Sequence, residues 1–156
     1  MLIFRNLLFL LALTFIVSCS KKTDEVTPAS LTGKWKHNGV TGKLTATANG
    51  KTASQDLAQP ANNSIIEFKA DGTANFFNSD VKYTVAGSIL TIIIGTSTLE
   101  YTVKVSGSNL TLSLTKEQYQ KLVELAYKKT DKSYTDWITL KPSITEFIFD
   151  TNYIKQ

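Results

Sequence analysis

Apolar residues recur at every second position through most of residues 31–114, and short Gly, Asn and Asp clusters interrupt the runs. A period of two is the signature of a strand with one buried face, because successive side chains point to opposite sides. A chain written this way must bury one face of a sheet, and short turns make consecutive strands antiparallel neighbours. The pattern predicts a first strand over 31–40. Residues 44–48 and 52–57 flank Asn49-Gly50, a strong signal for a two-residue hairpin. A loop around Pro60 leads into 64–69, where Ile66 and Phe68 share a face, and Ala70-Asp71-Gly72 turns the chain into 73–78. Phe76-Phe77 puts one ring on each face, so one of the two is expected outside the sheet's buried side.

Val81, Tyr83 and Val85 define the next face, Gly87-Ser88 the next turn, and 89–94 is apolar on both faces. Leu99, Tyr101, Val103 and Val105 alternate after it, then Leu110, Leu112 and Leu114. Many short strands joined by short turns predict an up-and-down antiparallel β-barrel.

The period then changes. Over 115–129, Tyr119, Leu122, Val123 and Ala126 fall at helical spacing, and Thr115 with Gln118 forms a capping box. Glu117–Lys121 and Glu124–Lys128 are spaced for i,i+4 pairing, and Lys128 and Lys129 suit a helix C-terminus. One helix packed on the barrel is expected here. Two more strands are expected over 137–141 and 143–149 around Pro142, with 151–156 as a tail.

The N-terminus carries an address. Arg5 precedes an apolar core over 7–17, the length of a signal-peptide core and too short to span a bilayer. Ile16-Val17-Ser18-Cys19 resembles the bacterial lipobox, in which the cysteine thiol receives a diacylglycerol and cleavage makes that cysteine the new N-terminus. Cys19 is the only cysteine, so no intramolecular disulfide competes for it. The resulting organisation is a lipoprotein signal peptide at 1–18, a lipid-anchored flexible tether at 19–31 and a barrel domain at 32–156. The expected location is the bacterial cell envelope, on the outer membrane, with the periplasmic and surface faces both open.

The barrel region also resembles a family. Gly33-Lys34-Trp35 is similar to the G-x-W of lipocalin-type barrels. Glu67-Phe68-Lys69-Ala70-Asp71-Gly72-Thr73, Lys82-Tyr83-Thr84-Val85 with Gly87, and Leu90-Thr91-Ile92 look like the small lipocalin-like domains of bacterial lipoproteins. The resemblance implies a lipocalin-like up-and-down barrel with Gly33 and Trp35 at its floor. Lipocalins usually lay a late-strand arginine over that tryptophan; Arg5, the only arginine here, lies in the signal peptide.

Several functions are excluded or disfavoured. The net charge is +4, of which Arg5 carries one, and the remaining positive charge is dispersed lysine. Nucleic acid is therefore not an expected partner, since phosphate and guanine are read best by arginine. His37, the single histidine, is expected as a solvated strand-end residue beside Asn38-Gly39. It has no neighbouring nucleophile or orienting partner to make it catalytic. One histidine and one lipidated cysteine do not make a zinc site. The carboxylates at 56, 67, 71, 80, 100, 136 and 146 are scattered rather than paired. Trp137, Tyr127, Tyr134 and Tyr153 are aromatics near loops that either bind or cover the core.

No enzymatic activity, cofactor or metal is expected. Two readings stay open. In one, a monomeric barrel binds a small apolar ligand, with Phe68, Tyr83, Ile92, Tyr101, Val103 and Leu112 as candidate lining. In the other, the barrel is filled and an envelope protein or glycan binds its outer surface. The bulk of the inward positions, which include Ile66 and Val85, argues for a small cavity or none.

Overall fold

The structure, a computed structural model, describes residues 26–76 and 78–156. Phe77, Cys19 and the expected signal peptide lie outside the described residues. A helical turn α1 (Pro28–Leu31) is followed by β1 (Gly33–Ala48), β2 (Lys51–Asp56), β3 (Ile65–Phe68), β4 (Thr73–Phe76), β5 (Ser79–Ala86), β6 (Ile89–Ile94), β7 (Ser97–Ser106) and β8 (Asn109–Ser113). Helices α2 (Lys116–Ala126) and α3 (Lys132–Leu140), a short 3-10 turn (Lys141–Ser143) and β9 (Ile144–Lys155) complete the chain.

Antiparallel pairing runs from β1 through β3 to β9 and returns from β9 to β1, which closes an eight-stranded barrel. β2 stands outside the ring, hairpinned to the distal half of β1 through Asn49 and Gly50, both at positive φ as a two-residue turn requires. The β1–β9 pair is long, running from Trp35↔Lys155 to Ala46↔Ile144. Its lower part closes the barrel, and its upper part carries β2 on its other edge and packs Leu44, Ile144 and Phe147 against the helices. Gly42 permits this close pairing, since a Cβ there would lie 2.4 Å from the Ile148 carbonyl oxygen. Gly42→Ala is expected to destabilise the domain by about 1–3 kcal/mol, near the upper end because the obstacle is backbone. Thermal unfolding of the variant measures it.

The core follows the alternation. Ile66, Phe68, Tyr83, Ile92, Tyr101, Val103 and Leu112 are buried, and Val85 packs against them half-buried. Phe76 also points inward. At the bottom, Trp35 is fully buried, and its Nε1 donates to the Leu31 carbonyl at 2.6 Å. Lys155, paired opposite Trp35, lays its Nζ 5.2 Å from the ring centroid. A lysine of the last strand thus occupies the place that the family resemblance gives to an arginine.

Several expectations change. The tether does not extend to residue 31: Thr27 caps α1, and Val26 and Leu31 are buried in the barrel core. The segment 137–141 is not a strand but the end of α3 and the first residue of the 3-10 turn; a short run with two β-branched residues, Ile138 and Thr139, fits either period, and here Trp137 packs on Tyr119 as part of a helix face. Residues 151–156 are not a tail, because β9 continues to Lys155 and closes the barrel.

Helix α2 has the expected capping box, with Thr115 Oγ1 accepting from Gln118 N at 3.2 Å and Gln118 Oε1 accepting from Thr115 N at 2.8 Å. It ends at Ala126, however, so Lys128 and Lys129 lie beyond it. Glu124 takes a hydrogen bond from Gln120 at 2.7 Å rather than pairing with Lys128.

Candidate functional site

The barrel is closed at one end and open at the other. The bottom is covered by α1, Trp35 and Leu31, and buried side chains pack the lower interior. Phe68 and Tyr83 meet edge to face at 5.0 Å, and the Tyr83 hydroxyl donates to the Lys69 carbonyl at 2.9 Å. Ile92, Leu90, Leu99, Val103 and Leu110 fill the space around them.

The open end is shaped by a bulge in β1. The β1–β9 register shifts between His37 and Gly39. Alternation buries Trp35 and His37, and the shift after His37 then buries Val40 as well. Gly39 has φ +110, and a Cβ there would meet the Gln59 carbonyl oxygen at 2.8 Å. Glycine at this position lets the 57–64 loop press onto the strand. Val40 and Gln59 exchange two backbone hydrogen bonds, at 2.9 and 3.0 Å, and His37 N donates to the Ser64 carbonyl at 2.8 Å. The loop thereby becomes one wall of the mouth.

Inside this wall lies a cavity of about 370 Å³, lined by residues that include His37, Gln59, Asn62, Tyr101, Leu112 and Tyr153. His37 is 8 % exposed and packs edge to face on Tyr153, its register partner on β9, at 5.7 Å. Its Nδ1 is buried without a hydrogen-bond partner. The expectation of a solvated strand-end histidine is therefore overturned: the bulge and the overlying loop bury it. Burial pushes the Tyr153 hydroxyl up to about 12, and it raises the Tyr101 hydroxyl further. Both phenols stay neutral donors at any physiological pH.

A second space, of about 620 Å³, opens between α2 and the barrel wall, lined among others by Val81, Ile94, Leu122, Leu125 and Tyr127. The two spaces are neighbours, with Gln59, Phe76, Leu122 and Phe149 lining both. Among the described residues, neither lining contains a lysine, aspartate or glutamate. Beside these spaces, Tyr119 anchors α2 within an aromatic cluster, 4.7 Å from Trp137, 5.2 Å from Phe147 and 5.0 Å from Phe149. Trp137 is buried in this cluster, while Tyr127 is 46 % exposed.

Of the six candidate lining residues, Tyr101 and Leu112 reach the cavity, while Phe68, Tyr83, Ile92 and Val103 pack the solid lower barrel. Gly33 and Trp35 lie at the floor, where a Cβ on Gly33 would meet Lys155 Cε at 3.2 Å. His37, Tyr153, Gln59 and Phe149 were not among the candidates. His37 and Tyr153 continue the inward alternation of their strands, a signal masked by the Asn38-Gly39 turn composition and by the assignment of 151–156 to a tail. Among the described residues, no three His, Cys, Asp or Glu side chains gather as metal ligands. Comparison of the chain with protein-family models, with curated proteins and with solved structures finds no match.

Proposed function

We propose that this chain is a lipid-anchored lipoprotein of the bacterial cell envelope, with a lipocalin-like barrel that binds a small, largely apolar and uncharged molecule at its mouth. The observation that carries the ligand reading is the cavity of about 370 Å³ above the solid floor. Among the described residues its walls are aromatic, aliphatic, hydroxyl and amide groups with His37, and they carry no lysine, aspartate or glutamate to pair with an ionic ligand. Apolar walls with a few hydrogen-bonding groups are the usual make-up of a small-molecule site. No step of chemistry is assigned to these residues, and the reading is of a binding protein rather than an enzyme.

The second reading, a lipoprotein acting through its outer surface, draws on Leu125 and Tyr127. They stand 40 % and 46 % exposed at the rim of the α2 groove.

Native mass spectrometry of the protein, released gently from its host membrane, tests the first reading. A discrete added mass is expected. Leu112→Trp, which fills the cavity, and Thr151→Trp, at its lining, are each expected to weaken retention at least tenfold, a step of about 1.4 kcal/mol. A clean apo mass for the native protein, with all candidate ligands added back and none retained, would favour the outer-surface reading instead.

A further inference from the structure

The chain enters the barrel at its closed end, and the cavity opens at the other. Val26 is the first described residue and packs in the core cluster that contains Trp35 and Leu31. The turns at 70–72, 87–88 and 107–108 lie at this same end, as do the start of β1 and the finish of β9. The mouth residues His37, Asn62 and Leu114 lie at the opposite end, with the 57–64 loop, the 95–96 turn and the helical layer. On the proposed lipid anchor, only residues 20–25 separate the membrane-bound Cys19 from Val26.

Length decides what this tether allows. Seven residue steps reach at most ~25 Å when fully extended, and about 15 Å as a flexible coil. Along β1, Gly33 at the floor is about 23 Å from Val40 at the mouth, at ~3.3 Å per residue, which is roughly 18 Å of height for a barrel strand tilted by about 40°. Bringing the mouth to the bilayer would require the tether to run up the outside of the barrel, stretched beyond its coil length. Helices α2 and α3, which flank the mouth, would also reach the membrane first.

We infer that the domain stands on its closed end, with the mouth turned away from the membrane, so that its ligand arrives through the aqueous space and not from the bilayer. This inference rests on the lipid anchor proposed above. The ligand is then an uncharged, partly apolar molecule that is soluble enough to diffuse, or is handed over by a soluble carrier. The anchor serves to hold the binding site at the envelope and does not feed it.

The test uses the full lipidated chain in vesicles. Lipidation occupies the thiol of Cys19, so single cysteines can be added for a fluorophore: Ser88→Cys and Ser108→Cys at the closed end, Asn63→Cys and Thr96→Cys at the mouth end. All four positions are exposed, which leaves the core intact. Flotation with the vesicles is measured first, then quenching by lipids carrying a headgroup quencher. The closed-end labels are expected to be quenched severalfold more than the mouth labels. Equal quenching, or stronger quenching at the mouth, overturns the orientation while leaving the anchor in place. Failure to float overturns the anchor, and the orientation with it.

Discussion

Trp35→Ala is expected to cost the domain about 3–5 kcal/mol, the range for deleting a fully buried aromatic ring. This is a large part of the 5–15 kcal/mol that holds a typical domain folded. The ring is completely enclosed, its Nε1 is tied to the Leu31 carbonyl, and Leu31 itself is fully buried beside it. Removing the indole therefore empties the floor and frees the acceptor that holds α1 in place. Trp35→Phe should recover part of the loss by restoring volume without the hydrogen bond. Lys155→Met should cost far less, about 0.5–1 kcal/mol, because the cation over the ring is exposed to solvent. Chemical denaturation of the three variants separates packing, hydrogen bond and cation. A small loss for Trp35→Ala would show that the floor closes without its tryptophan.

Cys19→Ala is the second large effect, and it follows from the proposed anchor. Each buried methylene of an acyl chain contributes about 0.8 kcal/mol, so two or more chains hold a protein on a membrane almost irreversibly. Without the thiol there is no attachment point, and the variant is expected to leave the membrane fraction or to persist as an unprocessed precursor. Fractionation with intact-mass measurement reads both results. The melting temperature of the barrel is expected to stay unchanged, because the described core contacts begin at Val26. A variant that stays membrane-bound and lipid-labelled would remove the anchor from the account, and the orientation argument with it.

The barrel was legible because its signal is periodic and local. Alternation, Asn49-Gly50 and Asp71-Gly72-Thr73 act within a few residues. In the last of these, the Asp71 carboxylate accepts from the Thr73 amide and hydroxyl, at 2.9 and 2.6 Å, whatever the rest of the chain does. What was not legible is what distant contacts decide. Residues 33–48 read as two strands, but β9 pairs along almost all of their length and fuses them. Residues 137–141 fit both periods, and their helical state is fixed by the contacts of Trp137 with Tyr119 and Phe147. The cavity was hardest of all. It exists because a one-residue register shift at His37 and a loop clamped at Gly39 coincide, and neither leaves a periodic trace.

The strand pair that closes the ring also sets the order in which the protein can be made. Asn152 bonds to Thr41 across 111 positions, and the strand that closes the ring against β1 is Ile144–Lys155. During synthesis, β1 emerges early and then waits for β9 with one long edge unsatisfied. Pairings this remote in sequence make folding slow and leave sheet edges open to other chains meanwhile. A molecule cut short before β9 could not complete its ring at all. The sheet therefore stays open and adhesive until β9 arrives and closes the ring.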